Sequence, residues 1–254
     1  MSWLLLHDGP AAGAWNMALD EALLEAANAG QCTLRLYAWD PPAISFGRNE
    51  PALRRYDRAA IRARGLDAVR RPTGGRAVWH HRELTYSVAA PADTFGTLQG
   101  TYHEIHAMLA VALETLGAHV ALAGARSMTP VGAGACFASP AGGEVVTETG
   151  LKLVGSAQVR SGAAFLQHGS LLLAAEQDVV AGVTLGEAAA PAAVGLGTLI
   201  GRGATWAAVA AAVSLAAARR WKSPERPDTL PQSVRDRAEL LRPRYEDDAW
   251  TWRR

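Results

Sequence analysis

Lysine is nearly missing from this chain. Lys152 and Lys222 stand against 23 arginines, so a lysine left inside a strand-like segment is conspicuous. Cysteine is as scarce, with only Cys32 and Cys136; two residues make no disulfide framework and fit free thiols in a reducing compartment. Long hydrophobic runs are absent too. The longest weakly polar stretch, 203–218, is mostly alanine and falls short of the roughly 20 apolar residues that span a bilayer. The opening MSWLLLHDG lacks a basic flank and is too short for a secretory signal. A cytoplasmic location with no membrane partner is expected. Neither charge sign dominates: the net charge is +1 and the arginine pairs are scattered, so no nucleic-acid partner is expected. No GxxxxGK[ST] loop occurs, and His103 and His106 share a helical face without a third ligand. Neither a cofactor nor a metal is expected.

What is present suits one large domain of 254 residues with 49% hydrophobic content, its core at about 15–221 and a helical tail at 222–254. Asp8-Gly9-Pro10 reads as the start of a helix in which Trp15, Ala18, Leu19, Ala22 and Leu23 share a face. Residues 33–39 alternate Leu34, Leu36 and Ala38 against Thr33, Arg35 and Tyr37, a strand with one polar face. Short strands follow at 43–47 and 66–70, with a basic helix at 56–64 between them. A second helix covers 102–116 and ends at Gly117. Residues 124–143 form a long Gly/Ala/Pro-rich loop. Period-two patterning then returns as a hairpin, 143–147 with 151–160, and a strand at 163–173 interrupted at His168-Gly169-Ser170. Helices at 205–221 and 231–241 precede WTWRR, whose tryptophans are expected to dock on the core. The sum is α+β, a mixed or antiparallel sheet with flanking helices.

Chemistry concentrates in few places. Residues 70–87, RRPTGGRAVWHHRELTYS, place two strand-like runs around a Gly-Gly turn rich in arginine and histidine, joined at Arg82-Glu83. A binding loop on a sheet is preferred to a plain hairpin there. Cys136, in GAGACFASP, has small neighbours that leave its sulfur accessible, and a nearby ammonium would make it an acyl acceptor. Lys152 stands on the same strand face as Val154, Ser156 and Gln158. It reads as a lysine projecting into a pocket, able to exchange protons with a thiol. His168 and Ser170 point to one face with no third partner in view, a weak case for a hydrolase triad.

Three ordered stretches, RRPTGGRAVWHHRELTYSV, LKLVGSAQVR and FLQHGSLLL, resemble the lipoate- and biotin-protein ligase superfamily. NMALDEALL and LRLYAWDPPAISFGR are similar to its N-terminal part. ATP-using lipoate ligases of that superfamily usually carry a third glycine and an HD-x-GN run where this chain has Arg76 and His81-Arg82-Glu83-Leu84. GGRAV, ELTYS and the CF-x-x-P loop are similar to the octanoyl transferases of the LipM type, although His81 stands where both groups commonly carry aspartate. The resemblance implies the ligase catalytic-domain fold and a two-step transfer, with Cys136 as nucleophile and Lys152 as its proton partner. Octanoyl-acyl carrier protein would be the donor. A lysine of a lipoyl carrier domain, such as the glycine-cleavage H protein or a dehydrogenase E2, would be the acceptor. Arg71, Gly74, Gly75, Arg76, His80, Gly155, Ser156, Ala157, His168 and Gly169 would bind substrate. Two alternatives stay open: an ATP-dependent lipoate-protein ligase, and a non-catalytic relative that binds carrier proteins.

Overall fold

A computed structural model describes residues 2–124, 143–186, 193–224 and 226–253. The chain begins with β1 (Trp3–Ala11), α1 (Gly13–Ala27), β2 (Cys32–Trp39) and β3 (Ala43–Phe46). Short helices α2 (Ala52–Arg55) and α3 (Arg58–Ala63) lead to β4 (Asp67–Arg70), β5 (Val78–His80) and β6 (Glu83–Pro91). Next come α4 (Leu98–Thr115), β7 (Val120–Leu122), β8 (Val145–Thr147), β9 (Val154–Ser161) and β10 (Ala164–Leu172). The rest is helical: α5 (Asp178–Ala181), α6 (Leu196–Leu199), α7 (Trp206–Trp221), α8 (Gln232–Glu246) and α9 (Asp248–Thr251).

The main sheet runs β1-β2-β6-β10-β9, parallel only between β1 and β2. One face packs Leu34, Leu36, Val88 and Leu171 against Met108, Leu109 and Val213 of α4 and α7. The other face packs Ala89 and Leu166 against Leu19 and Leu23 of α1, with Leu241 of α8 in the same cluster. A smaller sheet, β4-β3-β5, lies beside it, and β7 pairs with β8. This is the expected α+β architecture with a mixed sheet. The helix layers cover both faces of the central strands, so β2 and β6 are buried almost throughout. For that reason Thr33, Arg35 and Tyr37, expected on a polar face, all lie inside.

Several local expectations change. Asp8-Gly9-Pro10 does not start a helix: β1 runs through it, and α1 begins at Gly13 with no side-chain cap. The parallel pairing of β1 with β2 continues as far as Ala11↔Trp39 and keeps this segment extended. The runs at 70–87 do not form a hairpin. β5 pairs with β3 and β6 with β2 and β10, so the turn at Arg82, with φ 38°, carries the chain from one sheet to the other. The strand β10 is not interrupted at His168-Gly169-Ser170, because β6 and β9 pair with it through those residues. The turn at Glu148-Thr149-Gly150 is present, yet its arms meet only at Val146↔Lys152; β8 pairs with β7 and β9 with β10.

The tail docks as expected. Helix α8 runs beyond residue 241 and through Pro243, held against α1 by buried Val234, Ala238, Leu241 and Tyr245 and by an Arg237–Glu25 ion pair. Packing outweighs the hydrogen bond that the proline lacks. Arg70, fully buried, donates to the carbonyls of Trp250, Thr251 and Arg253 and, on its other side, to those of Gly47 and Glu50. No helix among the described residues is long and apolar enough to cross a membrane.

Leu36 is fully buried where the sheet meets the α4/α7 layer. Leu36→Ala is expected to lower the unfolding free energy by about 2–5 kcal/mol, measured by urea titration, through lost burial and a residual cavity.

Candidate active site

The site is built outward from a buried carboxylate on α1. Asp20 is fully buried. Its Oδ1 accepts from Arg35 Nη1 at 2.9 Å and Ser87 Oγ at 2.8 Å; its Oδ2 accepts from Tyr37 Oη and His168 Nδ1, both at 2.9 Å. Burial works against its charge. The His168 hydrogen bond and the Arg35 guanidinium outweigh that and hold the carboxyl below its usual range. Burial also pushes the His168 imidazole below its ordinary value, against the pull of Asp20. A neutral ring giving Nδ1–H to Asp20 leaves Nε2 to accept the Thr73 hydroxyl at 2.6 Å. Asp20 therefore fixes His168, and His168 fixes the Pro-Thr-Gly-Gly turn.

Arg71 sets the rest of that turn. Its guanidinium spans the carbonyls of Ser45, Gly74 and Arg76 at 2.7–3.2 Å. Gly75 sits at φ +92°, and a Cβ on Gly47 would lie 2.0 Å from the Gly75 carbonyl oxygen, so β3 and the turn meet backbone to backbone. His80 bridges Ser45 Oγ at 2.7 Å and Glu83 Oε1 at 2.8 Å while stacking on Trp39 with ring centroids 4.0 Å apart. The Glu83 carboxylate also accepts the hydroxyls of Thr85 and Ser170. Ser170 is thus committed to Glu83 and His168 to Asp20 and Thr73, and the two make no dyad.

These groups surround a cavity enclosing roughly 350 Å³ of empty space, part of it open solvent. Seven of the residues singled out in the sequence line it: Arg71, His80, Gly155, Ser156, Ala157, His168 and Gly169. The strands β9 and β10 bring the last five together, pairing Ala157 with His168 and Ser156 with Gly169. Gly169 has to be glycine, since a Cβ there would stand 2.5 Å from Ser156 Oγ and 2.7 Å from Tyr86 Cε1. Gly74, Gly75 and Arg76 are not among the lining residues; Gly74 and Arg76 hold Arg71 through their carbonyls.

Lys152 lies on the other side of the sheet. It is buried, its Nζ stands 2.7 Å from Glu144 Oε1, and it does not line the cavity. Beside it, His106 Nε2 is 2.8 Å from Ser156 Oγ, whose hydroxyl is 2.6 Å from that of Tyr86. Burial pushes the His106 imidazole down to about 4. Cys136 lies outside the described residues. His103 and His106 belong to no metal set, and among the described residues no group of three His, Cys, Asp or Glu could hold an ion. The sequence reading missed Asp20, Glu83 and Glu144. Each is an ordinary acidic residue in its own segment, and only the partners supplied by other parts of the fold mark it.

The family described as the lipoyl protein ligase A/B catalytic domain matches residues 12–201. Octanoyltransferase LipM of Kyrpidia tusciae is 38% identical over 100% of this chain and 99% of its own length. That of Moorella thermoacetica is 43% identical over 70% of this chain and 67% of its own. The chain belongs to the lipoyl protein ligase A/B family, on the branch of the LipM octanoyltransferases. Its fold is likewise that of a lipoate-protein ligase A bound with ATP, with a TM-score of 0.84 at 20% identity over 99% of both chains. A chain from a structural analysis of a bipartite lipoate protein ligase and its E2 lipoyl domain from Thermoplasma acidophilum gives a TM-score of 0.79 at 20% identity, covering 99% of this chain and 96% of its own.

Asp20→Ala in this octanoyltransferase relative is expected to cost about 3–5 kcal/mol in urea unfolding, because it strips a buried guanidinium of one partner. A second outcome follows from His106, whose folded value near 4 lies below its ordinary 6.5. Between those values the unfolded chain binds the proton and the folded one does not, so stability falls as pH drops from about 6.5 to about 4. Unfolding curves of His106→Asn across that window are expected to lose this part of the slope.

Proposed function

We propose that this chain transfers an octanoyl group from acyl carrier protein to a lysine of a lipoyl carrier domain, in the cytoplasm, through a thioester on Cys136. The observation that carries the reading is Lys152: one of two lysines in the sequence, buried, three residues ahead of the cavity wall at Gly155–Ala157, in a chain aligned end to end with an octanoyltransferase. Residues 1–254 act as a single catalytic domain in this reading. The carrier domain is supported as acceptor by the fold shared with a lipoate protein ligase studied together with its E2 lipoyl domain. The donor follows from the chemistry of thioester exchange.

The Cys136 thiolate, with Lys152 as its proton partner, attacks the thioester carbonyl of the donor. A new C–S bond forms, the donor thiolate leaves, and Lys152 returns a proton to it. A neutral carrier lysine then attacks the enzyme thioester; its amide bond forms as the C–S bond breaks, and the amine proton passes through Lys152 to the Cys136 sulfur. The octanoyl chain occupies the cavity between Trp39, His80 and β9–β10. Backbone amides at Gly155–Ala157 serve the oxyanion. Arg71 acts here through the turn that it holds, with Gly74, Gly75 and Arg76, and His168 as the anchor of Thr73. Exchange between thioesters is nearly balanced and amide formation runs downhill, so the cycle uses no nucleotide.

Intact mass after mixing with octanoyl-acyl carrier protein, without nucleotide, is expected to show one octanoyl adduct, absent from Cys136→Ala. Lys152→Ala is expected to slow its formation at least about 100-fold. Modification that requires ATP and survives Cys136→Ala would replace this reading with that of an ATP-dependent ligase.

A further inference from the structure

Glu144, between Gly143 and β8, is 3% exposed, and α4, the residue after β7 and Lys152 all reach it. Its Oε1 meets Lys152 Nζ at 2.7 Å and accepts the Tyr102 hydroxyl of α4 at 3.0 Å. One helical turn beyond Tyr102, His106 donates Nδ1–H to the Gly143 carbonyl at 2.7 Å and accepts the Ser156 hydroxyl through Nε2. The Tyr102 and His106 rings touch edge to face at 4.1 Å, so each braces the other. The backbone is tied down as well: Gly143 N–H donates to Ala123 O at 2.8 Å, and Ala123 N–H donates to Glu144 O at 2.7 Å. Helix α4 and the end of β7 thus grip two consecutive residues and aim one carboxylate at one ammonium.

We propose that Glu144 is the counter-ion that holds Lys152 in its charged form until it gives its proton to the leaving thiolate, with Tyr102 and His106 as positioning residues; this rests on the reading of Lys152 as the proton partner of Cys136. An ammonium in so closed a site is costly unless an anion stands against it. Among the described residues, His106 and Tyr86 beside the pair add no second positive charge. From α4, His106 is held neutral by burial despite its bond to Gly143. Tyr102 donates to the carboxylate. From β6, burial keeps the Tyr86 hydroxyl protonated, with Ser156 of β9 between it and His106. An amine holding its proton by this means stabilises a thiolate beside it and still gives the proton to a leaving thiolate, which a neutral amine cannot do.

The scarcity of lysine makes the test direct. Protein labelled with 13C at lysine Cε gives two signals, and Lys222→Arg identifies the one from Lys152. In Glu144→Gln, which keeps the shape and removes the charge, the Lys152 titration midpoint is expected to move down by about 1–3 pH units relative to wild type. Octanoyl-adduct formation at a pH between the two midpoints is expected to fall at least about tenfold and to recover as the pH is lowered. Glu144→Asp, which retracts the charge by one methylene, is expected to give an intermediate midpoint and serves if the amide variant does not fold. An unchanged midpoint overturns the proposal. So does a lowered midpoint with an unchanged rate. If wild type forms no adduct on Cys136, the transferase reading fails instead, and the midpoint still reports whether Glu144 holds the charge.

Discussion

A single carboxylate holds the cavity side of this protein in register. Asp20 receives hydrogen bonds from β2, β6 and β10 at once, through Arg35 and Tyr37, Ser87 and His168. An isolated charge at that depth would be driven to neutralise, and four donors with one guanidinium among them make the ionised form the stable one. The same arrangement gives three central strands a polar patch beneath α1. The walls of the cavity stand on that patch. His168 carries the constraint on to Thr73, and from there Arg71 ties the turn at Gly74 and Arg76.

The sheet separates two buried polar clusters, one on each face. On the α1 face lies the cavity, with its aromatic end at Trp39 and His80. On the α4 face lies Lys152 with its carboxylate and the neutral His106. The two meet at β9, where Ser156 lines the cavity yet turns its hydroxyl to Tyr86 and His106. Gly169 allows that crossing, since any side chain on β10 at this point would displace both Ser156 and Tyr86. The buried ion pairs of the two faces are better understood as fixing geometry than as adding stability, because the cost of removing both charges from water offsets most of their attraction.

Much of the fold was legible in the sequence. The helical spacing of Leu19, Ala22 and Leu23 and of Ile105, Leu109 and Leu113 placed α1 and α4, and alternation from residue 151 placed β9 with Lys152 and Ser156 on one face. These signals are local, and the residues that carry them are neighbours in the chain. Family motifs added the branch: Arg76 in place of a glycine, and a cysteine in a CF-x-x-P loop. Local reading failed where distant partners decide. Asp8-Gly9-Pro10 has the composition of a helix start, but pairing with β2 holds it extended. The runs at 70–87 look like one hairpin, and each finds its partners in a different sheet.

What the sequence determined by itself is thus the α+β class, the family branch and the residue types available for chemistry, since all three depend on short-range pattern and on motifs in order. Only the tertiary structure decided which acids matter. Asp20, Glu83 and Glu144 are unremarkable until the fold brings donors such as His168, Ser170 and Tyr102 to them from other segments, and a hydrogen bond between distant segments leaves no mark in the local periodicity of either. It also placed Lys152 opposite Glu144 on the far face of the sheet from the cavity, because which layer covers a strand face is set by the packing of helices and not by the alternation of the strand.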